Sequence, residues 1–142
     1  MFKLKWNHGC EPKYMIEYSA ACDLVARETV HLAAGKTEVI PTGVWIEDVI
    51  WDLVPPNSLP ELQIRARSGL SLRNAVTLAN GIGTVDADFR DEICVIMTNH
   101  SIENFVAKKG QRIAQMVLNT IQRIPNISVK GTRIGGFGST GL

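Results

Sequence analysis

Leu62-Gln63-Ile64-Arg65-Ala66 runs directly into Arg67-Ser68-Gly69-Leu70, and this junction says most about the fold. The first five residues alternate between apolar and polar side chains, which is the period of a half-buried β-strand. The Ser-Gly pair then marks a point where a strand can turn into a short helix. Ser68 is either an ordinary N-cap or part of an anion site, because the exposed amides at a helix start favour anions.

The segments around this junction are short, and turn signals separate them. Many of these segments are rich in Val, Ile, Thr and Trp, a composition that favours an all-β barrel or sandwich. Met1–Trp6 alternates in the same way and is predicted to be a strand. Judged alone, Ala20–Ala34 could be helical on propensity, and the apolar spacing of Gln111–Arg123 predicts a helix. For Gln111–Arg123 the resemblance described below overrides this prediction. The turn signals include Asn7-His8-Gly9, Gly35-Lys36, Pro41-Thr42-Gly43, Pro55-Pro56-Asn57, Asn80-Gly81 and Pro125-Asn126.

Length and composition indicate one globular domain. The chain has 142 residues, of which 45% are hydrophobic and 20% charged, and this excludes general disorder. A net charge of +1 gives no strong field for nucleic acid or a membrane surface. No apolar stretch is long enough to span a bilayer, and the start of the chain lacks the apolar core of a signal peptide.

The cysteines point to a reducing compartment. They are odd in number, three, and lack metal-ligand spacing. We therefore expect free thiols in a cytoplasm, which would be the host cell's if the chain is encoded by a virus or phage. Cys94 lies in the apolar run 93–97 and is expected in the core.

Several polar residues have two interpretations each. Asp23 stands among small apolar residues and is either a turn or cap residue or a functional carboxylate. Asn80-Gly81 predicts a hairpin. Asp86, beyond that turn, is either an exposed acid at a strand end or a carboxylate that deprotonates water. Gln115 is either a satisfied core amide or a ligand donor.

The chain ends in Gly135-Gly136-Phe137-Gly138-Ser139-Thr140-Gly141-Leu142. Four glycines in eight residues exclude a stable helix or strand. One interpretation is a frayed tail. The other is a segment that closes over a ligand with phosphates and a base, because backbone amides bind phosphate and an aromatic ring stacks on a base.

Five segments have now been described: those around Asp23, Arg67, Asp86 and Gln115, and the glycine-rich end. Taken in order, they resemble the five motifs of the trimeric dUTP pyrophosphatases (dUTPases), from about Ser19 to the C-terminus. The resemblance implies a distorted jelly-roll β-barrel with one short helix after Arg67, and a homotrimer with active sites between subunits. Residues 131–142 of a single domain, 1–142, would form an arm over a neighbouring subunit's site. The implied reaction is hydrolysis of dUTP to dUMP and pyrophosphate with Mg²⁺ on the triphosphate, which limits uracil in DNA and supplies dUMP for dTMP synthesis.

The resemblance also assigns roles to individual residues. Asp86 matches the general base, and Asp23 matches the acid that holds Mg²⁺ through water. The implied substrate-binding residues are Arg67, Ser68, Gly69 and Gln115 at the phosphates, Asn80, Gly83, Val85 and Phe89 in the nucleoside pocket, and Arg133, Phe137, Gly138, Ser139 and Thr140 on the arm.

Four departures from the family pattern and three rival functions accompany this resemblance. Phe89 replaces the family's usual tyrosine, Asp91 its frequent glycine and Ala66 its usual proline. Arg133 stands one residue closer to the glycines than the family's arginine, whose place Thr132 holds, and Lys130 is a possible substitute. A dCTP deaminase on the same fold would need a glutamate where this chain has Ile96. A non-catalytic trimer acting through an unknown regulatory protein partner is the second rival. The third, a nucleic-acid-binding protein, lacks a basic field.

Overall fold

The computed structural model describes residues 1–133 and 135–137. The strands of the first half are β1 (Phe2–Trp6), β2 (Cys22–Val25), β3 (Val30–Leu32), β4 (Thr37–Pro41), β5 (Val44–Val49) and β6 (Leu59–Ala66). A short 3-10 turn (Trp51–Leu53) lies between β5 and β6, and the helix α1 (Ser68–Asn74) follows β6. The remaining strands are β7 (Val76–Leu78), β8 (Gly83–Val85), β9 (Cys94–Asn99), β10 (Phe105–Ala107) and β11 (Arg112–Ile121).

The described strands pair in antiparallel fashion in four small sheets. The largest has the order β2-β11-β6-β8, the next β4-β9-β7, and two pairs join β1 to β5 and β3 to β10. Most neighbours in the sheets are distant in sequence, so the register comes from tertiary pairing rather than from local turns. The prediction of an all-β fold with one short helix is confirmed.

The core is one cluster of buried side chains drawn from all four sheets. Strand alternation produces it: in β9 the residues Val95 and Met97 are buried while those between them are only partly so. Cys94 belongs to the outward set and is only half-buried, so its prediction as a core residue is wrong. Cys10 and Cys22 are the buried cysteines, and all three thiols are free.

The two segments that read as helices in isolation are strands. Ala20–Ala34 contains β2 and β3, and Gln111–Arg123 contains β11. β11 pairs with β2 on one edge and with β6 on the other, so its backbone hydrogen bonds are satisfied across the sheet. Tertiary pairing therefore overrides a helical periodicity of apolar residues.

The Asn80-Gly81 turn does not close a hairpin, contrary to the sequence prediction. β7 before it pairs with β9, whereas β8 after it pairs with β6. The turn itself forms, with Gly81 at φ +71° and the Gly81 N–H bonded to the Leu78 carbonyl at 3.3 Å. Its function in the fold is to carry the chain from one sheet to another.

The helix α1 begins at Ser68 with Arg67 as its N-cap. No side-chain hydrogen bond caps this end, so the interpretation of Ser68 as the cap residue is wrong. The helix ends at Asn74, and the C-cap residue Ala75 adopts a left-handed conformation with φ +53°. Its effect on the site is to hold Arg67 at the end of β6. Within residues 1–133 and 135–137, no helix is long and apolar enough to cross a membrane.

Candidate active site

A cavity of about 250 Å³ opens beside the Asn80-Gly81 turn. It is lined by five of the residues assigned to the nucleoside pocket and to the base, together with two arm residues: Asn80, Gly83, Val85, Asp86, Phe89, Arg133 and Phe137. A Cβ on Gly83 would lie 3.1 Å from the Ile64 Cβ, so a glycine allows β8 to approach β6 closely here. Ile96 also lines the cavity, and it puts an apolar side chain where a deaminase would need a carboxylate.

Asp86 follows the last residue of β8 and stands at the rim of this cavity. Its side chain is 55% exposed, so water reaches the carboxylate. The Arg133 Nη2 atom donates a hydrogen bond to Asp86 Oδ2, and the Arg133 Nε atom donates to Asp88 Oδ1 at 2.9 Å. The sequence did not single out Asp88, which lies in the turn that follows Asp86.

The described part of the arm lies against the same chain's pocket. The Arg133 guanidinium carbon is 5.6 Å from the centroid of the Phe89 ring, within the range of a cation–π contact. A Cβ on Gly136 would be 2.9 Å from Phe89 Cε2, so only a glycine fits that approach without a shift. Phe137 is 68% exposed at the mouth of the cavity, where a base could stack on it.

A second polar cluster surrounds Asp23 on β2. The Arg67 Nε atom lies 3.4 Å from Asp23 Oδ1, and the Arg112 Nη1 atom lies 3.0 Å from Asp23 Oδ2. The Arg67 Nη1 atom also donates to the Arg112 carbonyl at 3.2 Å. Gln115 is Asp23's partner across the ladder, and its amide nitrogen donates to the Ala66 carbonyl at 2.9 Å. Arg112 is a second residue that the sequence did not assign.

Ser68 and Gly69 lie next to this second cluster because they form the first turn of α1, directly after Arg67. Ser68 is exposed and Gly69 is partly exposed. The structure therefore places Arg67, Ser68, Gly69 and Gln115 close together at the end of β6. Gly138, Ser139 and Thr140 lie outside the described residues.

The two clusters occupy opposite edges of the four-stranded sheet. Asp23 is on β2 at one edge, and Asp86 follows β8 at the other. Three strand spacings separate these edges, about 14 Å. Positions along β6 give the offset in the other direction. Asp23 is level with Arg65 of β6, and Asp86 is level with Glu61 of the same strand. These two positions are four residues apart, or about 13 Å along the strand. Within one chain, Asp23 and Asp86 are therefore about 19 Å apart along the sheet.

The charge of Asp23 is already balanced by two guanidinium groups. No cluster of three His, Cys, Asp or Glu side chains that could hold a metal occurs among residues 1–133 and 135–137. Direct coordination of Mg²⁺ by Asp23 would thus require the loss of an arginine partner. Each carboxylate oxygen has a second lone-pair site, and Mg²⁺ retains several of its waters in proteins. The residues present therefore fit a magnesium ion that is bound through water.

The half-buried Cys94 thiol lines the nucleoside-sized cavity. The pKa of Cys94 is raised to about 11, mainly by burial and then by the neighbouring Glu92 charge, while the Arg27 charge opposes the change. The thiol is therefore neutral near pH 7 and contributes an apolar surface to the pocket wall.

Comparison with known proteins identifies the family. A sequence model of the dUTPase family matches residues 8–141. The chain is 42% identical over 147 residues to a deoxyuridine 5'-triphosphate nucleotidohydrolase of Rickettsia felis, covering 99% of this chain and 94% of the relative. It is 40% identical over 152 residues to the protein of the same name in Rickettsia canadensis, with the same coverage.

Solved structures agree in fold. The dUTPase of Streptococcus mutans superposes with a TM-score of 0.71 at 22% identity, over 90% of this chain and 98% of that chain. A dUTPase variant of Staphylococcus bacteriophage 80alpha, solved with dUpNHpp, gives 0.72 at 20% identity, over 100% and 99%. The resemblance read from the five motifs is confirmed: this chain belongs to the dUTPase family.

Proposed function

We propose that this chain hydrolyses dUTP to dUMP and pyrophosphate, with Asp86 accepting a proton from the water that attacks the α-phosphate. The observation that carries the proposal is the exposed Asp86 carboxylate at the rim of a nucleoside-sized cavity. A positioned carboxylate beside a bound phosphate is the arrangement that general-base catalysis needs. In a cell this reaction would limit uracil in DNA and supply dUMP for dTMP synthesis.

The cavity of about 250 Å³ would hold the uracil and the deoxyribose. Asn80, Gly83 and Val85 form the wall that would face the base, and Phe89 would lie against the sugar. Phe89 keeps the flat ring of the family's tyrosine and lacks its hydroxyl, so it contributes packing without a hydrogen bond. Phe137 would cover the uracil from the arm side.

A neighbouring copy of the chain would supply the phosphate-binding groups. The separation of about 19 Å between Asp23 and Asp86, from strand spacing and rise, far exceeds the length of a triphosphate. A homotrimer with sites between subunits resolves this, because Arg67, Ser68, Gly69 and Gln115 of one copy would face the Asp86 of another. Arm residues Arg133, Gly138, Ser139 and Thr140 would close over the β- and γ-phosphates, each arm covering a neighbour's site.

Magnesium would neutralise part of the triphosphate charge and orient it when bound. Asp23 would accept a hydrogen bond from a water on the ion, while Arg67 and Arg112 keep the carboxylate fixed. Most of the catalytic effect would then come from positioning and from electrostatic stabilisation of the phosphates.

The first test is pyrophosphate release from dUTP with Mg²⁺, compared with dTTP, dCTP and UTP. We expect rapid release from dUTP alone and no ammonia from dCTP, because Ile96 provides no carboxylate. Asp86→Asn should still bind dUTP but lose roughly 10²–10⁴ in kcat, the usual contribution of a positioned base. Asp91→Asn changes the same charge in the same loop and should retain normal turnover.

Release from none of the four nucleotides would refute the proposal and favour a dUTPase-fold binding module with a protein partner. Near-normal turnover of Asp86→Asn would refute the role of Asp86 alone.

The arm has its own test. Deleting residues 135–142 should leave a folded trimer with little turnover, because water would enter the open site. Sedimentation gives the assembly state, and pyrophosphate release gives the activity. Full activity after truncation would show that the arm is an ordinary frayed end.

A further inference from the structure

The side chain of Glu92 attaches the chain to the barrel just before β9 begins. Its Oε1 atom accepts a hydrogen bond from the Gly43 N–H at 2.7 Å and lies 3.0 Å from the Arg27 Nε atom. The Glu92 side chain is only 18% exposed, and Gly43 is buried. A hydrogen bond to an ionised carboxylate is stronger than a neutral one, and a buried N–H without a partner is costly. Glu92 therefore ties this point of the chain to the turn between β4 and β5.

The backbone next to Glu92 is attached to the same turn. The Ile93 N–H donates to the Val44 carbonyl at 2.8 Å. The Ile93 carbonyl accepts from the Thr42 N–H at 3.3 Å and from the Thr42 hydroxyl at 2.5 Å. Side-chain and backbone contacts thus hold Glu92 and Ile93 to one place, and this place is where the loop 86–91 joins the wall of the nucleoside-sized cavity.

The loop 86–91 carries two groups that would meet the substrate, since Asp86 and Phe89 both line the cavity. The Phe89 N–H donates to the Asp86 carbonyl at 3.1 Å, a bond that shapes the loop but does not fix it on the barrel. The placement of the loop relies on the packing of Phe89 against the core and on its two ends, at β8 and at Glu92. Phe89 is three residues from Glu92, at most about 11 Å of extended chain, so a shift at Glu92 reaches the ring.

We propose that Glu92 is a positioning residue that holds the Phe89 ring where it excludes a 2′-hydroxyl from the cavity. It does so by fixing the end of the loop 86–91 through its contacts with Gly43 and Arg27. This inference rests on the proposed hydrolysis of dUTP, and it names a residue that sets the selectivity of that reaction for deoxyribose. An added 2′-oxygen needs the ring to withdraw, and a loop with a loosened end permits that withdrawal.

The test uses four variants. Glu92→Ala removes both contacts. Glu92→Gln is the rescue variant, because its amide oxygen still accepts from the Gly43 N–H. Arg27→Met keeps the aliphatic stem of the side chain and removes only the charge. Asp91→Asn is the matched control, since it removes a charge from the exposed neighbour of Glu92.

The first measurement is hydrogen exchange without nucleotide at the Gly43, Phe89 and Ile93 amides, each of which donates one of the hydrogen bonds described above. We expect Glu92→Ala to speed exchange at all three by about threefold to tenfold, the usual net effect of losing one hydrogen bond. Asp91→Asn should leave all three unchanged. Faster exchange at Gly43 alone would show that Glu92 does not hold the loop, and it would overturn the inference.

The second measurement is kcat/KM for dUTP and for UTP with Mg²⁺. We expect the ratio of dUTP to UTP to fall by about threefold to tenfold in Glu92→Ala and to recover most of this loss in Glu92→Gln. A loss of folded enzyme does not change the ratio, because it lowers both values equally. Arg27→Met should lower the ratio in the wild-type background and have no further effect in Glu92→Ala, where the partner of Arg27 is already absent.

Several results would overturn the inference. An unchanged ratio in Glu92→Ala, or an equal fall in Asp91→Asn, would exclude Glu92 from selectivity. A full additional fall from Arg27→Met in the Glu92→Ala background would show that Arg27 acts through another group. If Glu92→Ala does not fold, Glu92→Asp takes its place, since it withdraws the carboxylate from Gly43 and keeps the charge. A wild-type chain that releases no pyrophosphate refutes the proposed function and the selectivity with it, and hydrogen exchange then decides separately whether Glu92 holds the loop.

Discussion

Gly136→Ala tests the fit of the arm against the pocket at a single atom. The added Cβ would lie 2.9 Å from Phe89 Cε2 and 3.5 Å from Phe89 Cζ. Two carbon atoms in favourable contact are about 3.5–4.0 Å apart. Either the ring or the arm must therefore move by roughly 0.6 Å, the difference between that contact distance and the gap present.

The expected magnitude follows from this overlap. Forced overpacking costs about 1–3 kcal/mol, and a displaced arm also stretches the 2.9 Å contact between the Arg133 Nε atom and Asp88 Oδ1. Because the arm is a chain end that can yield, the lower half of that range applies. A loss of about 1–2 kcal/mol corresponds to about a fivefold to thirtyfold fall in kcat/KM for dUTP.

Gly131→Ala is the matched control. Nothing lies within 4 Å of a Cβ at Gly131, and it belongs to the same arm. Both changes reduce the entropy of the free arm by a similar amount, about 0.4–1 kcal/mol. The ratio of kcat/KM between Gly136→Ala and Gly131→Ala thus isolates the Phe89 contact. Thermal unfolding should show the same Tm for both proteins, since the core is untouched. Equal kcat/KM in the two variants would refute this packing argument.

Two further predictions concern stability. Gly43→Ala should lower Tm by several degrees, because Gly43 has φ +70° and a Cβ there would lie 2.7 Å from Cys10 Sγ. Gly9→Ala shares the positive φ without the overlap, and thermal unfolding should show a smaller loss; equal losses would contradict the clash. The pKa of Cys94, raised to about 11 by burial and then by Glu92, predicts that stability falls as the pH rises above about 9. In that window the unfolded thiol ionises while the folded one stays neutral. Urea unfolding at pH 8, 9 and 10 should therefore show a smaller fall in the free energy of unfolding for Cys94→Ser than for the wild type. Equal falls in the two proteins would refute this prediction.

The sequence alone was sufficient for the fold class and the family. Short segments between turn signals predicted an all-β chain, and the run from Arg67 through Ser68 predicted a strand that ends in a helix. Both features depend on local composition and spacing, which the sequence records directly. The assignment of β11 as a strand needed the family resemblance, because its apolar residues also fit a helical period.

The contacts of the candidate site were less accessible from sequence. Asp23 and Arg67 are 44 positions apart in the chain and meet only because β2 and β6 flank β11 in one sheet. In the sequence nothing distinguishes Asp88 from other acidic residues, and only the structure shows its contact with Arg133 of the arm. The Asn80-Gly81 turn reads as a hairpin by its residues, yet the strands on either side join different sheets.

There is a physical reason why the sequence predicts local features and not long-range contacts. Turn chemistry, strand alternation and the glycine-rich end are properties of adjacent residues, so the sequence by itself determined the all-β class, the position of α1 and the identity of the motif residues. Strand order, register and the sharing of Arg133 between two aspartates depend on which distant segments pair. Only the tertiary structure decided these, and it also placed Asp23 and Asp86 at opposite edges of one sheet.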